Sequence, residues 1–156
     1  MSKEITFNTK KYVEHALQSL KDNGLKITDP RKMIVNLLAK SEKALSPYEM
    51  RDLLKKQKIH ADVVTIYRVL EVLEKMSLAH KVLAVNGYIR CSTTEDETAC
   101  HHYLLCKNCR KVEEVEGENL HSLQTKIAKD YKFEITSHYL EFTGLCSECS
   151  QKPKRK

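Results

Sequence analysis

The sequence of 156 residues has no tryptophan, four glycines, three prolines and few aromatic residues, which make up 6% of the chain. Packing therefore depends on leucine, isoleucine, valine and methionine. No apolar run approaches the roughly 20 residues that a membrane-spanning helix needs, and residues 1–12 contain no apolar segment typical of a secretory signal. We expect a globular protein of the reducing cytoplasm, where six cysteines indicate metal or redox chemistry more than disulfides.

Charge and cysteine are both unevenly distributed along the chain. Residues 1–90 carry 17 Lys and Arg against 10 Asp and Glu, a net charge of +7, which makes this half a candidate for a polyanionic partner. Residues 91–150 carry 6 against 11, a net charge of −5, and all six cysteines lie at or after Cys91. The sequence predicts domains at 1–91 and 100–150, a hinge at 92–99 and a basic tail at 151–156.

Short amphipathic helices are the dominant pattern of the first half. Apolar residues recur every three or four positions, and residues typical of helix ends stand between the apolar stripes. Gly24 fits the end of the first helix, Thr28-Asp29-Pro30 fits the start of the second, and Ser46-Pro47-x-Glu49 fits a capping box. The helices are predicted at 10–23, from Asp29 through Leu38, from Ser46 through Leu54, and over Asp62–Met76.

A different period follows the fourth predicted helix. Residues 81–91 form two short β-prone runs around Asn86-Gly87, which predicts a hairpin with positive φ at both turn residues. Helices followed by such a hairpin are typical of a winged helix-turn-helix domain, whose last helix enters a major groove of DNA. The alternative is a plain helical bundle with a solvated basic surface.

The predicted helix Asp62–Met76 carries side chains suited to DNA at its N-terminal end. Arg68 can bond guanine O6 and N7 with its forked guanidinium, and Thr65 and Tyr67 can reach a phosphate or a thymine methyl group. Residues near the start of the second helix suit phosphate or minor-groove contacts. The candidate DNA-binding residues are Lys26, Arg31, Tyr48, Thr65, Tyr67 and Arg68.

The second half is predicted to be a small domain of mixed structure. Short strands at Tyr103–Leu105 and Lys111–Val115 flank the first cysteine pair, an amphipathic helix covers Glu118–Tyr131, and a further strand covers Phe133–Phe142. The predicted fold class is α+β, an N-terminal winged helix-turn-helix DNA-binding domain followed by a small C-terminal α/β dimerisation domain. A domain of about 50 residues needs a staple or a partner chain to be stable.

Two Cys-x-x-Cys pairs provide a staple for this domain. Cys106, Cys109, Cys146 and Cys149 supply four thiolates, which is a ligand set of tetrahedral structural zinc. The pairs lie far apart in sequence, so the ion would join the start of the domain to its end. A thioredoxin-type redox site would need a single Cys-x-x-Cys at a helix start.

A second group of metal-ligand side chains surrounds the predicted hinge. His80 lies where the fourth helix meets the hairpin, Cys91 ends the hairpin, and Glu114 follows the first cysteine pair. A metal ion bound from both sides of the hinge would favour one arrangement of the two domains and act as a switch. Mixed nitrogen, sulfur and oxygen ligands suit zinc better than ferrous iron. The candidates are His80, Cys91, Cys100, His101, His102, Glu114, His121 and His138.

Several segments of the chain together resemble the ferric uptake regulator (Fur) family of bacterial metal-sensing repressors. The resemblance implies a homodimer, paired through its second domain, that binds a palindromic double-stranded DNA operator when the regulatory metal is present. It also implies that Tyr67 and Arg68 are the Tyr-Arg pair of the recognition helix. The segments are GLKITDPR at Gly24–Arg31, VVTIYRVLEVLE at Val63–Glu74, HHYLLCKNCRKVEE at His101–Glu114 and GLCSEC at Gly144–Cys149.

Within this family, AHKVLAVNGYIRC at Ala79–Cys91 is similar to the zinc uptake regulator branch. That resemblance implies repression of zinc-uptake genes. It implies regulatory zinc ligands at His80, Cys91, Glu114 and either His101 or His102, and a further site that would draw on His102, His121 and His138. The iron sensors of the family take a ligand histidine from the loop before the Ser46-Pro47 helix, and this chain has none there.

Three other functions compete with zinc-responsive repression. An iron-responsive or other-metal regulator of the same family would use the same fold with Fe²⁺. A thiol redox sensor would use Cys91 and Cys100 as a reversible pair and would respond to oxidant. A zinc deaminase or hydrolase would need an HxE with PCxxC, or an HExxH, and the sequence contains neither. We therefore expect no enzyme activity, no small-molecule substrate and no membrane partner.

Overall fold

The computed structural model describes residues 9–91, 102–115, 118–136 and 138–151, with the backbone alone at 118–121. The chain divides into two compact units, Met1–Glu97 and Thr98–Lys156. The predicted hinge at 92–99 and residues 152–156 of the predicted tail lie outside the described residues. Across the described ranges, no helix combines the length and the apolar character that crossing a membrane requires.

Helices build most of the first unit. They are α1 (Thr9–Asp22), α2 (Asp29–Lys40), α3 (Pro47–Lys56) and α4 (Val63–Lys75). Each helix places apolar residues on one face at intervals of three or four, and these faces meet in a single core. The four predicted helices are confirmed. Fully buried core residues include Ala16, Leu20, Ile34, Leu38, Met50, Leu54, Ile66, Leu70 and Leu73.

The ends of these helices follow the local sequence. Gly24 adopts φ +71° after α1, and its N–H donates to Lys21 O (2.8 Å) while Leu25 N–H donates to Leu20 O (2.9 Å). These two bonds form a Schellman cap, which needs the left-handed conformation that glycine tolerates. At α3 the predicted capping box is confirmed, since Ser46 Oγ accepts from Glu49 N–H (3.3 Å) and Glu49 Oε2 accepts from Ser46 N–H (2.8 Å).

The predicted hairpin is present, but its turn differs from the expectation. Strand β1 (Ala79–Val82) and antiparallel β2 (Gly87–Arg90) are joined by a 3-10 turn at Leu83–Val85 followed by Asn86. Asn86 has φ +46°, whereas Gly87 has no positive φ and is already paired with Val82 as the first residue of β2. The expectation of a two-residue Asn-Gly turn was therefore wrong.

The lack of a side chain at Gly87 allows a close approach instead. A Cβ at this position would lie 3.0 Å from Ala44 Cβ and 3.2 Å from the Ala44 carbonyl carbon. The segment before α3 runs beside β2 here, because Leu45 N–H donates to Tyr88 O (3.0 Å) and Tyr88 N–H donates to Leu45 O (2.9 Å). This bridge fastens the hairpin, which we call the wing, to the helices of the first unit.

The second unit contains a small mixed sheet. Strands β3 (His102–Cys106), β4 (Val112–Val115) and β5 (Leu140–Gly144) lie in the order β4-β3-β5. Strand β3 is antiparallel to β4 and parallel to β5. Helices α5 (Glu118–Tyr131) and α6 (Ser147–Ser150) complete the described elements. The predicted α5 and the first two predicted strands are confirmed, as is the mixed fold class.

The last strand is shorter than predicted. It begins at Leu140, and the described residues between α5 and β5 form no strand, so the expectation of a strand over Phe133–Phe142 was wrong at its start. Lys132 adopts φ +50° after α5, and Phe133 N–H donates to Ala128 O (2.9 Å). The N–H of Phe133 closes the end of the helix and is not available to a sheet.

Candidate metal centre and nucleic-acid interface

Each Cys-x-x-Cys pair lies on a tight turn that the backbone fixes. In the first turn Arg110 has φ +64°, its N–H donates to Cys106 O (2.9 Å), and Cys106 N–H donates to Lys111 O (3.0 Å). In the second turn Cys146 is the N-cap of α6 and Cys149 lies inside that helix. The two intervening residues in each pair are what allow both sulfurs to face one point.

The sheet brings the two turns together. Strand β3 ends at Cys106, which is in register with Gly144 at the end of parallel strand β5. Beyond the strands, Lys107 N–H donates to Gly144 O (2.8 Å). Because the carboxyl ends of parallel strands meet at one edge, pairs that are far apart in sequence become neighbours.

The four cysteines have the geometry of a zinc site. Their sulfurs all lie within 4.8 Å of one another. Tetrahedral Zn–S bonds of ~2.3 Å place sulfurs about 3.8 Å apart, and Cys109 Sγ lies 3.8 Å from Cys146 Sγ. Four thiols at this spacing can hold a zinc ion, which agrees with the prediction for Cys106, Cys109, Cys146 and Cys149.

Hydrogen bonds around the sulfurs separate their pKa values. The backbone N–H of Cys109, and then that of Cys146, lower the pKa of the Cys106 thiol to about 6. At Cys146 the backbone N–H of Cys149 lowers the pKa, but hydrogen bonding with the other thiols and burial raise it to about 11. Cys106 is therefore the more acidic and Cys146 the less acidic thiol of this pair. Binding of a divalent ion would require all four thiols to lose their protons, and the ion would compensate the resulting negative charge.

Asn108 adds a hydrogen bond between the two turns. Its side-chain Nδ2 donates to Cys149 Sγ over 3.2 Å, although the residues are separated by 41 positions. An N–H donor to a thiolate stabilises the charged form, which is the form that binds metal. Asn108 was not among the residues predicted from the sequence. Its position inside CKNC was the available signal.

The register of the wing places two predicted regulatory ligands on one face. His80 is opposite Ile89 and Ala79 is opposite Arg90, and Cys91 N–H extends the ladder by donating to Leu78 O (3.0 Å). Side chains alternate along a strand, so His80 and Cys91 are diagonal neighbours on the same face. Diagonal neighbours lie about 7–8 Å apart at Cα, a spacing that allows an imidazole and a thiol to share a metal ion.

Contacts to the helices hold the end of this ladder. The buried hydroxyl of Tyr12 in α1 donates to Leu78 O (2.8 Å). Burial raises the pKa of Tyr12, and the nearby Cys91 charge raises it further while Arg90 opposes the change, so the hydroxyl stays a donor. The Arg90 guanidinium donates to Ala39 O near the end of α2. From the sequence, Tyr12 could be assigned only to the apolar stripe of the first helix.

The remaining candidate ligands belong to the second unit and occupy different positions there. His102 is fully buried and stacks on His138 with ring centroids 5.7 Å apart. Glu114 is in register with Tyr103, so strand alternation puts it on the face of the sheet opposite His102. The structure thus brings His102 and His138 together. Cys100, His101 and the side chain of His121 lie outside the described residues.

The start of α4 presents a mixed polar and apolar surface. Asp62 caps the helix by accepting from Thr65 N–H (2.6 Å), and the backbone and side-chain hydrogen bonds of Thr65 lower the pKa of that carboxyl. Arg68 is exposed, Thr65 and Tyr67 are half-buried, and Val64 is 58% exposed. Val64 was not singled out from the sequence, although it falls off the apolar stripe and can contact a thymine methyl.

The other candidate DNA contacts lie on neighbouring elements of the first unit. Arg31 in α2 donates to Lys26 O and so braces the loop before the helix, while the Lys26 side chain is exposed. Tyr48 in α3 is 55% exposed, and the Arg51 guanidinium lies 5.6 Å from the centre of its ring. These positions offer cations and hydroxyl groups of the kind that bind phosphate.

A helix-turn-helix with a wing, followed by a unit that clusters four thiols, defines a metal-binding transcription regulator. The sequence model of the Ferric uptake regulator family matches residues 22–143. The chain belongs to this family, whose members are metal-responsive transcription regulators and not enzymes. The family resemblance read from the sequence is therefore confirmed.

Relatives in both metal branches are similar to this chain. It is 33% identical over 140 residues to the ferric uptake regulation protein of Neisseria gonorrhoeae, covering 89% of this chain and 96% of that protein. It is 26% identical over 141 residues to the zinc uptake regulation protein of Escherichia coli (strain K12), covering 90% and 82%. A solved zinc uptake regulator complexed with zinc and DNA matches with a TM-score of 0.84 and 25% identity, covering 92% and 96%.

Proposed function

We propose that this protein is a zinc-responsive repressor of zinc-uptake genes that acts in the cytoplasm as a homodimer on palindromic operators. Its fold is similar to that of a zinc uptake regulator solved with zinc and DNA. In this proposal one zinc ion at the four cysteines is structural. A second ion is regulatory, and its binding controls the affinity for DNA.

The main support for zinc as the regulatory metal is that His80 and Cys91 lie on one face of the wing. A thiolate beside an imidazole is a ligand pair that suits zinc, whereas ferrous iron in sensors prefers nitrogen and oxygen ligands. The loop before α3 contributes no histidine to a competing site. The ligand chemistry therefore favours zinc, although the 33% identity to a ferric uptake regulation protein favours iron.

The second unit would supply the other regulatory ligands. Glu114 lies on the opposite face of the sheet from His102, and His102 is already packed on His138. This arrangement favours His101 over His102 as the histidine that joins Glu114, His80 and Cys91. A zinc ion held by residues of both units would stabilise one arrangement of the two units, and its binding energy would select the state that fits DNA.

An exposed apolar surface on the second unit supports dimer formation. Large apolar side chains on α5, on the sheet and beside α6 are 40% exposed or more. Three of them, Leu104, Phe142 and Leu145, line one pocket, and contiguous apolar surface of this kind marks an interaction site. Pairing two such surfaces would bury them and join two copies of α4 in one molecule, as binding to the two halves of a palindrome requires. The residues are Leu104, Leu123, Ile127, Phe142 and Leu145.

Operator binding as a function of buffered free metal tests this proposal. Fluorescence anisotropy would follow a labelled zinc-uptake promoter under anaerobic conditions, with protein that retains one zinc per chain. We expect tight binding as free zinc rises, and Cys91→Ser should lose this response while remaining a dimer by analytical ultracentrifugation. Ser147→Ala is the control, since it lies beside the structural cysteines and should bind operator like the parent.

Different outcomes identify different alternatives. Tight binding with ferrous iron at low free concentration, and none with zinc, would place the protein in the iron branch and end the assignment of Cys91. Binding that responds to oxidant and is insensitive to metal would favour the redox sensor that uses Cys91 and Cys100. A monomeric Cys91→Ser would make Cys91 a structural residue.

A further inference from the structure

One carbonyl oxygen joins helix α1 to the end of the wing. Leu78 O accepts from the Tyr12 hydroxyl over 2.8 Å and from the Cys91 backbone N–H over 3.0 Å. A carbonyl oxygen has two lone pairs, and these two donors use both of them. The Tyr12 hydroxyl and the Cys91 backbone are therefore both held by the oxygen of Leu78.

Burial makes this arrangement sensitive to the loss of one donor. Tyr12 is 1% exposed, and Leu78 and Cys91 are each 3% exposed. At this degree of burial, loss of the hydroxyl would leave the carbonyl with the Cys91 N–H as its donor. Because a phenylalanine would fill nearly the same core volume, packing alone does not require the hydroxyl of Tyr12.

We propose that Tyr12 is a positioning residue for the regulatory metal ion. Its hydroxyl fixes the Leu78–Cys91 pair and so fixes the separation between the Cys91 thiol and the His80 ring. This inference rests on the proposed function, in which His80 and Cys91 bind that ion. Because coupling between two sites is reciprocal, the bound ion would also hold α1 against the wing.

A second hydrogen bond to the helices should keep the effect of losing the Tyr12 hydroxyl local. The Arg90 guanidinium donates to Ala39 O near the end of α2, and Arg90 is the residue before Cys91. The wing thus remains attached to α2 when the Tyr12 hydroxyl is removed. Loss of that hydroxyl should loosen the end of the ladder, with the ligand spacing affected more than the fold.

Cobalt(II) binding to the dimer tests the proposal, with zinc left in the four-cysteine site. Tyr12→Phe should weaken cobalt binding at the regulatory site about 3–10-fold, below the 10–100-fold typical of direct partners of a ligand. It should also shift the thiolate-to-cobalt charge-transfer band. The matched control is Tyr88→Phe. Like Tyr12, Tyr88 is a buried tyrosine, but it lies in the wing near Glu71 and Glu74 of α4.

The results separate a positioning role from a merely structural one. If Tyr12→Phe keeps the parent's cobalt affinity and band position, Tyr12 is only a core residue and the inference is overturned, whatever its melting temperature. If the band of the parent persists in Cys91→Ser, the ligand assignment fails, which overturns the proposed function independently of Tyr12.

A measurement on the parent protein covers the case in which Tyr12→Phe does not fold. Hydrogen exchange with mass spectrometry would follow the α1 segment Thr9–Asp22 before and after cobalt fills the regulatory site. We expect slower amide exchange in this helix when the ion is bound. Unchanged exchange in α1 alongside slower exchange in Ala79–Cys91 would show that the wing responds to metal without α1, contrary to the proposal.

Discussion

Arg68 lies on the exposed side of α4, one turn after the exposed Val64. In the proposed function its guanidinium donates hydrogen bonds to the edge of a guanine. Arg68→Ala should therefore weaken operator binding by roughly 1–3 kcal/mol and relax base preference at one position. The matched control is Lys75→Ala, which removes a positive charge from the far end of the same helix. Anisotropy titrations with the operator and its single-base variants would measure both.

Equal weakening by the two substitutions would contradict this role. In that case Arg68 would contribute only to the general attraction between a basic surface and the phosphates. That contribution depends on salt and carries no sequence information.

Asn108 makes one side-chain hydrogen bond to the four-cysteine site, and the effect of its loss on zinc affinity is measurable. Asn108→Ala removes the N–H donor that lies 3.2 Å from Cys149 Sγ, so we expect zinc affinity to fall about tenfold, the lower end of the range for such partners. Competition with a chromogenic chelator measures this. Lys107→Ala is the control, because it changes the same turn and leaves the backbone bond to Gly144 O intact. A loss of the same size in both variants would contradict a specific role for the Asn108 amide.

At the scale of elements, Gly87 connects the wing to the helices by leaving room for Ala44. Gly87→Ala would place a Cβ 3.0 Å from Ala44 Cβ and 3.2 Å from backbone, so we expect a loss of about 1–3 kcal/mol in the free energy of unfolding. Urea denaturation followed by circular dichroism measures it. Gly144→Ala, whose Cβ would meet nothing within 4 Å, should change stability by less than about 0.5 kcal/mol. If Gly87→Ala is as stable as Gly144→Ala, the segment before α3 yields and does not brace the wing.

Elements with strong local signals were predictable from the sequence, and those set by distant contacts were not. The helices have a regular apolar period, and Gly24 and the Ser46 capping box mark their ends. The turn of the wing depends on the approach of Ala44 to Gly87, and residues on separate elements gave no sign of that contact. The start of β5 was missed because the N–H of Phe133 is used to close α5.

The candidate sites also divide into features with a local sequence signal and features set by distant contacts. Spacing alone was enough to predict that four cysteines would meet, because two tight turns at the ends of one domain favour a shared ion. The pairing of His80 with Cys91 needed the register of the wing, which fixes their common face. The Tyr12 hydroxyl could not be assigned a partner, since its acceptor lies 66 positions away.

At the scale of the whole molecule, the two proposed ions should differ in how easily they are lost. The four thiols belong to one unit, where parallel strands and backbone N–H donors hold them. The regulatory ion would depend on ligands from two units, so every separation of the units would release part of its coordination. We therefore expect a mild chelator to abolish operator binding while the dimer persists at one zinc per chain.

A stronger chelator should then remove the structural ion from the four cysteines and dissociate the dimer, because metal binding to a small domain contributes directly to its folding. Elemental analysis, sedimentation and anisotropy on the same samples would resolve the two steps. Cys109→Ser serves as the control, since it should lack the second step and be monomeric from the start. A single step that removes zinc, dimer and operator binding together would mean that one ion performs both roles. The regulatory site at His80 and Cys91 would then be wrong, while the four-cysteine site would stand.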